Sequence, residues 1–214
     1  MNHKPEFPSY YLPIREVFEK VIGFKLDPNE KIIINNDNYK IIYKSVQEYP
    51  GTIEFIENPP EEFKLIAVSS NGNVIKHLEN PSEKVQLQAV YENPFSIKYI
   101  KNPSEAVQLS AVKLNGFAIE HIKNPSEAVQ LAAIYQDSGS IQYIENPSEH
   151  LQLEIVKIDP RSIIYINNLF FSAILIAVGK DLSLMKFINV ENLTPSQMNE
   201  INSILEIHDI LDEK

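Results

Sequence analysis

The chain has no cysteine. That excludes disulfide frameworks, thiolate zinc sites and cysteine nucleophiles together. No apolar run approaches the roughly 18 residues of a membrane-spanning helix; the best candidate, residues 169–178, stops well short. The opening stretch, MNHKPEFPSYYLPIREVF, lacks an apolar segment of signal-peptide length. Basic charge is scarce: 19 Lys and Arg stand against 29 Asp and Glu, a net charge of -10 over 214 residues. That balance speaks against a basic nucleic-acid footprint and permits the converse, an acidic mimic of nucleic acid. No glycine-rich phosphate loop, HExxH or GxSxG is present. These absences lead us to expect a cytoplasmic, non-enzymatic protein with no cofactor, no metal and no membrane partner.

What is there is a repeat. Asn-Pro-Ser-Glu begins at Asn80, Asn102, Asn124 and Asn146, a step of 22 residues each time. Proline in the middle bars this phrase from being a glycosylation acceptor. With the asparagine at position 2 of a 22-residue row, residue types fall into columns over seven rows, residues 35–188. Position 12 reads Val46, Val68, Val90, Val112, Ile134, Val156, Val178; position 19 reads Ile53, Ile75, Ile97, Ile119, Ile141, Ile163, Met185. A worn row, 13–34, precedes them, with an amphipathic pattern from Ile14 to Ile22 closed by Gly23. A fixed period in this range marks a solenoid or array, whose units bury surface only on their neighbours.

Each row contains two helix starts. At the first, asparagine is expected to cap, proline to take the first helical position and glutamate to complete a capping box. The second start is at position 15, filled by Asn71, Asn93, Asn115, Asp137 and Asp159 in successive rows. Gly72 and Gly116, one place on, suggest a left-handed turn closing the preceding helix. So each row should be a helix of about 11 or 12 residues and a second of about 7, both too short to persist unstacked. Positions 7, 9, 11 and 12 of the first helix form an apolar arc, with a glutamine column (Gln86, Gln108, Gln130, Gln152) at position 8. Those glutamines are either a ladder bonded to turns or a polar stripe for a ligand. In the second helix, positions 19 and 22 should face inward, 17 and 20 outward, with aromatics and histidines on the flank at 21. The position-5 glutamates, Glu61, Glu83, Glu105, Glu127 and Glu149, are read as capping partners rather than as metal or acid–base groups. Residues 194–197, Thr-Pro-Ser-Gln, restart as a capping box before a longer acidic helix, suited to closing the array.

The phrase NPSEAVQLAAI at 124–134, the Asn-Gly and Asn-Pro turns at 115–116 and 93–94, and the Ile-x-Tyr-Ile endings at 97–100 and 141–144 resemble a family of short helical repeats of unknown function. That family occurs in bacteria, bacteriophages and large DNA viruses and is similar in plan to HEAT repeats. The resemblance implies an α-solenoid used for binding and brings no catalytic residues. Through its phage and viral members it implies a job in the host cytoplasm, binding and inhibiting a host defence protein.

The expected fold is therefore all-α: a right-handed α-solenoid of seven to eight 22-residue two-helix repeats with helical caps. Residues 1–34 would form the N-terminal cap and worn row, 35–188 the array and 189–214 the acidic C-terminal cap. The leading expectation is a protein-interaction scaffold; the alternative is the acidic nucleic-acid mimic. Mixed signs at position 20 (Glu54, Lys76, Lys98, Glu120) favour the scaffold, because a mimic needs regular rows of acid. The expected partner surface comprises Phe95, Lys98, Tyr99, Phe117, Glu120, His121, Tyr143 and Arg161, aromatics with an arginine as in interface hot spots. Phe95 and Phe117 either face out to meet that partner or fold back over their turns.

Overall fold

A computed structural model describes residues 14–23, 25, 27 and 31–212. The first thirteen residues and Pro28 lie outside the described residues, as do the side chains of Ile14, Val17, Asp209 and Leu211. The fold is an all-α solenoid. Its α-helices are α1 (Ile14–Ile22), α2 (Tyr39–Glu48), α3 (Glu61–Ser70), α4 (Glu83–Glu92), α5 (Glu105–Leu114), α6 (Glu127–Gln136), α7 (Glu149–Ile158), α8 (Phe171–Lys180) and α9 (Pro195–Asp212). Each helix from α2 to α8 is followed by a six-residue 3₁₀ helix, such as Pro94–Tyr99 or Gly116–His121. Among the described residues there is no strand; one parallel bridge joins Ile32 to Ile56. The chain forms two compact units, Met1–Ser110 and Ala111–Lys214. In the first, α1 packs on α2, α2 on α3 and α3 on α4; in the second, α6 packs on α7, α7 on α8 and α8 on α9.

The helix starts differ from the expected capping boxes. Asn58, Asn80, Asn102 and Asn124 are left-handed, with φ between 46° and 51°. Asparagine tolerates that region better than most residues, so here it makes the turn and does not cap. The cap is the serine two places on. Ser82 Oγ accepts from Val85 N–H at 3.3 Å, Ser126 Oγ from Val129 N–H at 3.4 Å and Ser148 Oγ from Leu151 N–H at 3.2 Å. Glutamate then opens the helix, where a negative charge suits the macrodipole, and its carboxylate points to the next row. Glu61 and Glu83 accept from the hydroxyls of Ser82 and Ser104. In the second unit Ser148 donates to Glu127 at 2.8 Å and Ser172 to Glu149 at 2.6 Å. Reciprocal capping does occur at α9, where Gln197 N–H donates to Thr194 Oγ1 (3.3 Å) and Thr194 N–H to Gln197 Oε1 (2.8 Å).

The second start is as expected. The side chains of Asn71, Asn93, Asn115, Asp137, Asp159 and Asp181 each accept from the N–H two residues on, at 2.9–3.0 Å. The helix that follows is 3₁₀ because its apolar residues recur every three, the period of that helix. Ile97 and Ile100 are 1% and 8% exposed, Ile119 and Ile122 2% and 8%. Position 20 faces outward, as Lys98 and Glu120 show.

In the α-helices the core is positions 7, 11 and 12: Val85, Ala89 and Val90 in the first unit, Val129, Ala133 and Ile134 in the second, all at most 1% exposed. The leucine column at position 9 is only half-buried, Leu109 included, a correction to the expected arc. Gly72 and Gly116 correct another expectation. Neither has a positive φ; each starts a 3₁₀ helix against the α-helix of the next row. A Cβ on Gly72 would stand 2.3 Å from the Ala89 carbonyl oxygen, and one on Gly116 2.5 Å from that of Ala133.

Gly72→Ala must therefore push two rows apart, and should lose about 1–3 kcal/mol in urea melts, the usual cost of overpacking. Gly179→Ala, where nothing lies within 4 Å, should instead gain up to about 1 kcal/mol from helix propensity. Equal effects at the two sites would show that the close approach is not a constraint.

Candidate interaction surface

The glutamine column is half-buried and satisfied by backbone. Gln86 Nε2 donates to Pro81 C=O at 2.8 Å, and Gln108 and Gln130 to Pro103 and Pro125 at 3.0 Å. Each glutamine thus ties down the turn before its own helix. Gln152 goes further and is fully buried. Its Nε2 donates to Pro147 C=O (3.2 Å) and to Asn168 C=O (2.8 Å), and its Oε1 accepts from Phe170 N–H (2.9 Å). The seventh row has Leu169 and Phe170 where the four central rows have Pro-Ser, so it has no capping serine; the Phe170 carbonyl accepts from Ala173 N–H at 3.0 Å, and Gln152 of the row before holds the Phe170 N–H. These bonds place the column in the scaffold.

The expected partner residues divide between the two units. In the first, Lys98 is exposed with its Nζ 4.9 Å over the Tyr99 ring; Tyr99 is 38% exposed and Phe95 half-buried. In the second, Phe117 is half-buried, edge-on to Tyr143 with ring centroids 6.0 Å apart. Its ring also lies 3.4 Å from where a Cβ on Gly139 would stand. Phe117 therefore packs against the next row, neither fully outward nor folded back over its own turn. Glu120 is exposed and His121 half-buried. Arg161 Nε reaches Asp181 Oδ2 at 3.7 Å. The Ser183 hydroxyl, 2.6 Å away, leads the causes that hold the Asp181 carboxyl below the usual range, its backbone N–H and Arg161 adding to it.

Within the position-21 column the aromatics grow more open along the later rows. Tyr143, Tyr165 and Phe187, in successive rows of the second unit, are 39%, 47% and 51% exposed, and Ile164 beside them is 46% exposed. Lys186 Nζ sits 4.9 Å over the Phe187 ring. The residues that sequence reasoning passed over are thus Ile164, Tyr165 and Phe187. Their signal was the aromatic column itself, outweighed by the two phenylalanines at position 17. In the first unit the same column holds His77, 22% exposed, with Nδ1 3.3 Å from Glu54 Oε2. Burial lowers the His77 pKa from 6.5; Glu54 works against that and Lys76 adds to it.

Among the described residues no group of three or more His, Cys, Asp and Glu side chains is placed to hold a metal ion, and no helix is long and apolar enough to cross a membrane. A scan against protein-family models finds no match for this chain, and no curated protein or solved structure matches it.

Two outcomes test these assignments. Gln152→Ala strands the Phe170 N–H and should cost roughly 1–3 kcal/mol, clearly more than Gln86→Ala, whose lost partner lies in a half-exposed turn; parity in chemical melts would undo the distinction. His77 favours its neutral form in the folded state, so the unfolded chain binds the proton more readily. Stability should then fall as pH drops below 6.5, before the carboxylates titrate. His77→Phe, the residue found at this column in Phe55 and Phe187, should flatten that slope; an unchanged slope would remove His77 as its source.

Proposed function

We propose that this is a non-enzymatic protein-binding repeat, and that the second unit carries a contact surface along its aromatic column. The observation behind this is the run Tyr143, Tyr165 and Phe187, each more than a third exposed, with Ile164 alongside. Three large rings and an isoleucine left open in neighbouring rows cost solubility unless they meet something. Rings rimmed by a cation such as Arg161 or Lys186 have the make-up of interface hot spots. Both cations speak for a protein partner rather than for mimicry of phosphate rows. By the resemblance of the repeat to phage and viral ones, that partner is a host protein whose defence role the binding blocks.

Tyr165→Ser with Phe187→Ser should leave the melting temperature nearly unchanged, because both rings are half in solvent, and should deplete the partner in pull-downs from the source cell. Loss of one hot spot at 2 kcal/mol corresponds to about 30-fold weaker binding. A fallen melting temperature with full partner recovery would assign both rings to packing and leave the surface elsewhere.

A further inference from the structure

Ile32 shows what the turns between rows can hold. Its N–H donates to Phe55 C=O at 2.8 Å, and its C=O accepts from Glu57 N–H at 2.8 Å. Its side chain is 7% exposed. The residue between that acceptor and that donor, Ile56, is extended, with φ -97° and ψ 128°. In an extended chain the carbonyl before a residue and the N–H after it point to the same side, which is why one docked residue can use both.

The later turns repeat this backbone. Leu78 has φ -97° and ψ 128°, and Ile100 has -92° and 119°. In the second unit Ile144 has -104° and 107°, and Ile166 has -107° and 117°. There, among the described residues, the carbonyls of His77, Tyr99, Tyr143 and Tyr165 accept no backbone hydrogen bond and the N–H groups of Glu79, Lys101, Glu145 and Asn167 donate none. Grooves lie over the Leu78, Ile100 and Ile166 turns. One of about 610 Å³ in the first unit runs between the Leu78 and Ile100 turns, with Pro81 and Tyr99 in its wall. One of about 580 Å³ in the second unit spans the Ile166 and Ile188 turns and is walled by Phe170, Phe187 and Leu193.

We propose that these turns are docking slots for an extended segment of a partner protein. One residue per slot bridges the position-21 carbonyl and the position-1 N–H, as Ile32 does in the first row, and its apolar, β-branched side chain enters the groove. Exposed unpaired edges of this kind are what added strands recognise. The proposal rests on the protein-binding reading and supplies its mode.

The test uses the full chain, isotope-labelled for NMR, and as probe the capped peptide EKIIINN, the sequence of residues 30–36. At roughly tens of millimolar peptide the amides of Glu79, Lys101, Glu145 and Asn167 should shift, while that of Glu57, already bonded, should not. A peptide N-methylated at the isoleucine matching Ile32 lacks the donor, and its shifts should fall at least several-fold. No shift, or equal shifts with the methylated peptide, overturns the proposal. Shifts confined to the exposed rings of Tyr165 and Phe187 overturn it as well while leaving the protein-binding reading standing. Retained peptide shifts in Tyr165→Ser/Phe187→Ser protein that captures its partner normally uphold the slots and sink the aromatic surface.

Discussion

Ten-residue α-helices and six-residue 3₁₀ helices cannot hold themselves in water, and the rest of the structure follows from that. Every row must be held by the rows beside it. Stacking close enough to do so demands small residues where backbones meet: Ala89 against Gly72, Ala133 against Gly116. It also demands that each row be the same length, because a serine hydroxyl of one row must reach the glutamate of the row before. The 22-residue period is the trace of those two requirements in the sequence.

Short helices also multiply helix ends, and every end leaves backbone groups to satisfy. The central rows, residues 79–166, meet this with a fixed set of side chains. An Asn or Asp accepts at the start of the 3₁₀ helix, a serine caps the α-helix, and a glutamine secures the turn between rows. The seventh row shows how tightly the set is coupled. It has no serine cap: the Phe170 carbonyl takes the Ala173 N–H, and Gln152 of the previous row braces the new turn by bonding Asn168 C=O and Phe170 N–H.

This coupling explains what could be read from the sequence. The period, the all-α class, the position-15 starts, the α9 capping box and the inward faces at 12, 19 and 22 were legible, because each column has one chemical demand. The cap was not, because Asn-Pro-Ser-Glu holds two residues able to cap and pattern alone does not choose between them. At Asn80, Asn102 and Asn124 the left-handed backbone moves the helix start past the asparagine, while Ser148 caps without it. The leucine column was misplaced for an angular reason. At 3.6 residues per turn, position 9 lies about 200° from position 7, beyond the arc of about 140° that positions 7, 8, 11 and 12 span. The 3₁₀ geometry was visible in the three-residue spacing of the isoleucines. Of the expected partner residues, Lys98, Tyr99, Glu120, Tyr143 and Arg161 are open, while Phe117 packs on Gly139 and Tyr143. That packing depends on a glycine one row away, which no local pattern displays.

What stacking does not use is the edge where rows meet. A docked residue there gains two hydrogen bonds, worth about 0.5–1.5 kcal/mol each after water is displaced, and about 1.5–3 kcal/mol for a buried aliphatic side chain. One slot therefore nets at most about 2 kcal/mol once the entropy lost on association, at least about 4 kcal/mol, is met; concentrated free peptide can register that, but it does not hold a partner. Ile32 escapes this limit only because it is joined to the chain it docks on. A separate protein would need either several slots or a slot together with the rings beside it. The column supplies the second, since three of the four open carbonyls at position 21 belong to residues whose rings stand exposed, Tyr99 in the first unit and Tyr143 and Tyr165 in the second; His77 is the exception. Backbone edge and aromatic ring are thus two parts of one residue, and a partner that reaches one is placed to reach the other.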